Sequence, residues 1–311
     1  IDYFFNNFCY IKVQQASIDI MNNLNECKLF PEWNHIEEYL KKFYKPEQRE
    51  IYKYHINETN KIHHFYQFDL GLKHYQDKYF SENISSFISY LSMLSEKPKS
   101  QFYLGFIYYE GKYVTQDIKK SIHYLTLAVN QNDPSALNML GDIYYEGKYI
   151  SQDTNKSIRY FTLAANLKNS EAQNSLGIIF LEGEYISQDI NKSIHYFTLA
   201  ANQNYAEAQH SLGLIYGRGE YVTRDIEKSI HYFTLAANQN YVLAQFNLGI
   251  IYSEGEYVTR DINKSIHYFT LAANKNYVLA QFNLGLIYYE DEYVTRDINK
   301  SIHYFTLAAN Q

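Results

Sequence analysis

SIHYFTLAANQNY, residues 193–205, returns letter for letter from Ser229 and with a single change, Gln to Lys, from Ser265. Three more divergent copies begin at Ser121, Ser157 and Ser301, so six copies follow one another at a spacing of 36 residues. A fixed period between about 20 and 50 residues is the signature of a solenoid or another repeat array. The repeat therefore decides the fold, and one unit explains most of the chain.

Each unit carries the pattern of two amphipathic helices. In residues 133–152, DPSALNMLGDIYYEGKYISQ, Asp133 and Pro134 form a typical helix start and Gly147 a typical helix end. Between them, apolar residues recur at helical spacing at Ala136, Leu140, Ile143 and Tyr144. A second helix follows an aspartate that we predict to be its N-cap. Its buried side is lined by Ile118, Ile122, Leu125 and Val129, and its polar stripe by Lys119, His123, Thr126 and Asn130.

Two glycines recur in register. One glycine lies in the middle of each first helix, where it costs about 1 kcal/mol relative to alanine, so we expect another helix to approach closely there. These residues are Gly105, Gly141, Gly177, Gly213, Gly249 and Gly285. The other glycine follows the first helix, and Asp291 replaces it in the last copy, where we expect a slightly strained turn.

The repeats define the domain organisation. Residues 66–94 resemble a repeat shortened by two residues, which predicts seven units over residues 61–311, the first of them degenerate. Residues 1–60 do not repeat but contain helical patterns. We expect them to form a helical N-terminal cap of the array, or else the tail of an upstream domain.

The pattern A-x-x-x-L-G-x-x-Y-x-x-G-x-Y-V-x-x-D-x-x-K-S-I-x-Y-F-x-L-A-A resembles the Sel-one-like (Sel1-like) repeat family, a relative of the tetratricopeptide repeats. The resemblance implies antiparallel helix pairs stacked into a right-handed α-solenoid superhelix. It also implies work as an adaptor or scaffold rather than as an enzyme. The matching residues of one copy are Ala208, Leu212, Gly213, Tyr216, Gly219, Tyr221, Val222, Asp225, Lys228, Ser229, Ile230, Tyr232, Phe233, Leu235, Ala236 and Ala237.

Composition narrows the classes of partner. The net charge of −6 leaves no basic surface for nucleic acid, and no apolar run has the length of a membrane span. The two cysteines, Cys9 and Cys27, lie outside the repeats and favour a cytoplasmic location. A lumenal location stays open because sequons occur at Asn57, Asn83, Asn155, Asn191, Asn263 and Asn299, although four of them arise from the repeated NKS.

No motif predicts catalysis, a cofactor or a metal. A column of histidines follows the second helices, at His123, His195, His231, His267 and His303, but no further ligand type joins it at a matching helical position. We expect surface histidines there. The aspartate column is expected to cap helices rather than to supply paired catalytic carboxylates.

The candidate binding surface is the outer side of the first helices, which line the concave surface of such superhelices. Residues on that side vary between units, and many are aromatic, as suits the capture of a peptide or helix. Apolar residues there, such as Ile178 and Leu214, have packing between units as an alternative role. The predicted protein-binding residues are Phe102, Phe106, Tyr109, Tyr145, His210, Phe246, Phe282 and Tyr289.

The sequence thus predicts a noncatalytic scaffold or adaptor that binds a partner protein or peptide in its groove. Alternatives are a lumenal quality-control adaptor, a regulatory segment attached to a catalytic domain, and a hydrolase built on the same repeats. The last alternative is disfavoured because the repeats contain no cysteine. Apolar residues of the last helix, including Ile302 and Phe305, also predict stacking at the C-terminal end, on a continuation of the chain, a partner or a second copy.

Overall fold

The computed structural model describes residues 88, 91, 92 and 95–310, apart from 113, 291 and 293. These residues form twelve α-helices, and no strand occurs among them. The predicted all-α fold is thereby confirmed. The expected N-terminal segment 1–60, the degenerate unit at 66–94 and the strained turn at Asp291 lie outside the described residues.

The helices alternate between first and second helices of successive repeats. The chain divides into two compact units, Ile1–Ala128 and Val129–Gln311. In the second unit, each first helix packs antiparallel against the second helix of its own repeat, which then packs against the next first helix. The helices are α1 (Pro98–Glu110), α2 (Ile118–Val129), α3 (Pro134–Glu146), α4 (Thr154–Asn166), α5 (Ser170–Glu182), α6 (Ile190–Ala201), α7 (Ala206–Arg218), α8 (Ile226–Asn238), α9 (Val242–Glu254), α10 (Ile262–Ala273), α11 (Val278–Glu290) and α12 (Ile298–Ala309).

The helix ends follow the predicted signals. Asp133 Oδ1 accepts hydrogen bonds from the backbone N–H groups of Ser135 and Ala136, at 3.0 and 2.9 Å, and so caps α3. Gly147 ends the same helix with a left-handed φ of 63°. A Cβ atom at Gly147 would lie 2.6 Å from Cβ of Gln152, so both the backbone angle and the space require glycine.

The mid-helix glycines let an aromatic ring lie directly on the helix backbone. A Cβ atom built on Gly249 would lie 2.5 Å from Cδ1 of Phe269, a ring of α10 that is completely buried. Ser265, one turn earlier on α10, donates a hydrogen bond to the carbonyl oxygen of Gly249 at 2.9 Å. The predicted close approach is confirmed, and it joins the two helices within a repeat. The same contact recurs at Gly141, Gly177, Gly213 and Gly285.

Buried glutamines join neighbouring repeats. Gln209 of α7 donates from Nε2 to the carbonyl oxygen of Ala201 in the preceding repeat, at 3.1 Å. Its Oε1 accepts a hydrogen bond from Gln239 of the turn that leads into the next repeat, at 2.7 Å. Buried polar groups are costly unless they are bonded, so these bonds favour one register between repeats.

A turn residue offers a direct stability test. The turn between repeats adopts a positive φ at a residue that is asparagine in four copies but Lys168 in one, where φ is 62°. Asparagine tolerates this left-handed conformation better than lysine does. We expect Lys168→Asn to raise the free energy of unfolding by about 0.5–1 kcal/mol.

Chemical denaturation of the full chain measures this difference. Asn204→Lys is the matched reverse substitution, since Asn204 occupies the equivalent place with φ of 60°, and it should lower stability by a similar amount. Equal midpoints for both variants and the wild type would show that this turn stores no backbone strain.

Candidate partner-binding face

The outer surface of the second helices is occupied by contacts within each repeat. Lys228 Nζ lies 2.9 Å from Asp225 Oδ2 and 5.0 Å from the centre of the Tyr216 ring. That ring stacks on Tyr232, with 6.0 Å between centroids, and His231 meets Tyr232 edge-on at 5.4 Å. The histidine column therefore packs against tyrosines, since the same edge-on contact recurs at His123, His195, His267 and His303.

The aspartate column caps the second helices, as predicted. Asp225 Oδ1 accepts the backbone N–H of Lys228 at 2.9 Å, and this bond lowers the pKa of the Asp225 carboxyl. The equivalent bond is made by Asp117, Asp153, Asp189, Asp261 and Asp297.

The first helices of the second unit contact one another and form a continuous face. Successive first helices approach each other at α3/α5, α5/α7 and α9/α11. A bond of 3.0 Å between Asn247 Nδ2 and His210 Nε2 joins α7 to α9. We call the exposed side of α3, α5, α7, α9 and α11 the first-helix face.

Several predicted binding residues lie at least partly exposed. In the first unit, Phe102, Phe106 and Tyr109 are half-buried, and the rings of Phe102 and Phe106 lie 6.4 Å apart. In the second unit, Tyr145 is half-buried and packs edge-on against Tyr185, a ring in the loop after α5 of the next repeat. Phe282 and Tyr289 are each 46% exposed.

The structure places two predicted residues inside the junctions between repeats. His210 is buried against Phe233 and Tyr241, with centroid distances of 5.5 and 5.2 Å. Burial, followed by the nearby positive charge of Arg218, lowers its pKa to about 4.

Phe246 occupies the equivalent position one repeat later. Its ring is half-buried between Phe269 and Tyr277, at 5.7 and 5.1 Å. The turn that leads into the next repeat supplies Tyr277, and a projection of one helix does not contain that turn. His210 is therefore buried inside its junction, whereas Phe246 packs into the next junction and keeps part of its ring exposed.

A neighbouring column of residues, which the sequence did not single out, is also exposed. Leu243 is 39% exposed and Leu279 is 51% exposed, and Glu171 and Glu207 occupy the same place in the two preceding repeats. Variation at this position between otherwise similar repeats was the available signal. Of the apolar residues with an alternative packing role, Ile178 is exposed, whereas Leu214, Ile250 and Leu286 are partly buried.

The first-helix face is acidic at its N-terminal end. Asn138 donates from Nδ2 to Asp142 Oδ2 at 3.2 Å and to Glu171 Oε2 at 3.3 Å, and so bridges α3 and α5. Burial, followed by repulsion from Glu171 and Glu146, raises the pKa of Asp142 to about 7. Among the described residues, no lysine or arginine lies within ion-pair distance of Asp142, Glu171 or Glu207.

The raised pKa of Asp142, caused first by burial and then by the nearby carboxylates, predicts a pH-dependent stability. Because the pKa of Asp142 rises from 3.8 to about 7 on folding, the folded chain binds the proton more tightly, and stability falls as pH rises through this window. Asp142→Asn removes the dependence. At pH 8 the free energy of unfolding of the variant should exceed that of the wild type by about 1–2 kcal/mol, and at pH 4 the two values should be similar.

Melting curves of both proteins at several pH values measure this difference in stability. Titrating groups that the substitution leaves unchanged contribute equally to both proteins, so their effects cancel. A stability difference that is constant between pH 4 and pH 8 would contradict the burial of Asp142 beside the other carboxylates.

Among the described residues, no helix is long and apolar enough to cross a membrane. No group of three or more His, Cys, Asp or Glu side chains is arranged there to hold a metal ion.

Comparison with known proteins gives consistent matches. A sequence model of the Sel1 repeat matches residues 98–133, 134–169, 170–205, 206–241, 242–277 and 278–311. A Sel1 repeat protein from Oxalobacter formigenes is 26% identical with a TM-score of 0.68, and the match covers 78% of this chain and 99% of that one.

A protective antigen of uropathogenic Escherichia coli, described as displaying an SLR fold, is 28% identical with a TM-score of 0.64. The match covers 69% of this chain and 46% of the antigen, so the chain spans about half the length of that protein. No curated protein matches the sequence.

Proposed function

Because the chain belongs to the Sel1 repeat family, whose members generally mediate protein–protein interactions, we propose that it is a noncatalytic scaffold that binds a partner protein on its first-helix face. The family is a repeat scaffold, and solenoids present long, continuous surfaces that suit this work. A cytoplasmic location is part of the proposal.

One observation favours the first-helix face over the outer surface of the second helices as the binding surface. Residues on the outer surface of the second helices, such as Lys228 and Tyr232, have equivalents of the same type in nearly every repeat, because each repeat needs them for its own packing. The exposed first-helix column instead reads Ser135, Glu171, Glu207, Leu243 and Leu279. A position that served packing alone would repeat like its neighbours, so its variation is expected of a surface that recognises something.

The exposed apolar residues point the same way. Leu243 lies in an internal repeat and stays 39% exposed although α11 packs beside it. Large apolar side chains that gather on one exposed face usually mark an interaction site. Ile178, on α5 of the same face, is also exposed.

The experiment uses a partner captured by crosslinking and pull-down from the cells that make the protein. Leu243→Asp is expected to weaken its affinity by about 30-fold, since central interface residues contribute roughly 2 kcal/mol or more. Leu163→Asp is the control, because Leu163 is 43% exposed but lies on the second helix α4.

Affinity is measured with purified proteins, and melting curves show that both variants stay folded. Equal affinity of the Leu243→Asp variant and the wild type, or a larger loss in the Leu163→Asp variant, would contradict binding on the first-helix face.

A further inference from the structure

We infer that the partner presents a segment that is basic at one end and apolar at the other, with its basic end over Asp142, Glu171 and Glu207 and its apolar end over Leu243 and Leu279. This inference rests on the proposed function, since it names the chemistry of the partner on the same face. It follows from a change in the character of that face along the array.

The acidic end consists of carboxylates without a cation. Asp142 and Glu171 share the two amide hydrogens of Asn138, and Glu207 follows one repeat later in an exposed position. Burial and the charges of Glu207, Glu171 and Asp142 together raise the pKa of Tyr205 to about 12. All three carboxylates therefore lie close enough to Tyr205 to act on the same hydroxyl group. A lysine or arginine of a partner would relieve their repulsion.

A buried oxygen adds to the negative character of this end. Asn138 is 7% exposed, and its Oδ1 has no hydrogen-bond partner among the described residues, while its Nδ2 serves the two carboxylates. Asn174 has the same unpartnered Oδ1 one repeat later. Unbonded buried oxygens are costly, and a positive charge placed beside them lowers that cost. The two oxygens thus add to the negative potential that the acidic side chains create at this end.

The apolar end begins where the acidic side chains stop. On α9 the sequence is VLAQFNLGIIYSE and on α11 it is VLAQFNLGLIYYE, so the terminal Glu254 and Glu290 carry the only charges of these two helices. Leu243 and Leu279 replace the glutamates of the two preceding repeats at the same position. A partner that was basic along its whole length would gain nothing at these two repeats.

The spacing of the helices sets the length of the segment. Packed helices lie about 8–10 Å apart, so the four spacings from α3 to α11 extend over roughly 35 Å. An extended peptide covers this distance with about 11 residues and a helix with about 23 residues. The segment is thus as long as one helix or strand of a partner.

The test selects binders from a random library of 20-residue peptides displayed on phage, with the full chain immobilised. Selected peptides are expected to carry Lys or Arg in one half and apolar residues in the other. Their affinity for the Glu171→Lys/Glu207→Lys double variant should fall by at least about tenfold, and salt should weaken their binding to the wild type.

Glu220→Lys/Glu256→Lys is the matched control with the same change in net charge. Both residues are exposed in the loops that follow the first helices, and Lys148 occupies the equivalent place in another repeat, so this variant should bind the peptides like the wild type.

The variants separate this inference from the proposed function. Peptides that lose affinity for Leu243→Asp but bind Glu171→Lys/Glu207→Lys as well as the wild type would overturn the basic end while the binding face stands. Peptides that are indifferent to both changes, or a selection that yields no binder, would contradict the binding face itself. Selected peptides without Lys or Arg would also overturn the inference.

Discussion

Gly249→Leu is expected to lower the free energy of unfolding by about 3 kcal/mol or more, at the upper end of the overpacking range. Even a single Cβ atom at this position would lie 2.5 Å from the Phe269 ring. That ring is completely buried. The leucine therefore forces α9 and α10 apart and breaks the bond from Ser265 to the Gly249 carbonyl.

Thermal and chemical unfolding of the full chain measure this loss. The control is Ser253→Leu, one turn later on α9, because Leu181 occupies the equivalent position in another repeat. We expect that control to change stability by less than about 1 kcal/mol. An unchanged melting curve for Gly249→Leu would mean that the register between α9 and α10 is wrong.

Phe197→Ala is expected to cost about 3–5 kcal/mol, the usual range for removing a buried aromatic ring. Phe197 is completely buried in the middle of the array, where it covers Gly177 and packs with Ala208 and Leu212 of the next repeat. Its loss opens a cavity both within a repeat and at a junction. Because solenoid stability depends on neighbouring repeats, we expect unfolding to split into two transitions.

Two controls make the result specific. Phe197→Leu should cost much less, since Leu125 fills the equivalent position and is completely buried there. Tyr196→Ala removes a half-buried ring that stacks on Phe180 at 5.8 Å, and we expect a loss of about 1 kcal/mol. A loss for Tyr196→Ala as large as that for Phe197→Ala would show that the outer stacked pairs, rather than the glycine–phenylalanine contacts, hold each repeat together.

Features that depend on one repeat could be predicted from the sequence. The 36-residue period, the caps at Asp133 and Asp225 and the close approach at Gly249 all follow from local spacing. Each of these signals concerns residues within one helix pair, where helical periodicity fixes which side chains meet. The all-α solenoid of antiparallel pairs was predictable for that reason.

Features that depend on two repeats could not be read from the same pattern. Phe246 appeared exposed because the projection of α9 omits Tyr277, which covers its ring from the following turn. Asp142 and Glu171 come close only because α3 and α5 pack side by side, which no single repeat reveals. The exposed column at Leu243 is adjacent to the predicted one, and a small rotation of the helix decides which of the two faces outward.

The proposal that the first-helix face binds the partner is tested most directly by site-specific photocrosslinking. A benzophenone amino acid is placed at Leu243 on the first-helix face, or at His267 on the outer surface of α10, and the protein is irradiated in the cells that make it. Both side chains are exposed, so both variants should fold. We expect a protein crosslink from position 243 that mass spectrometry traces to one segment of the partner, and none from position 267. A crosslink to the same partner from position 267 but not from position 243 would contradict the proposal.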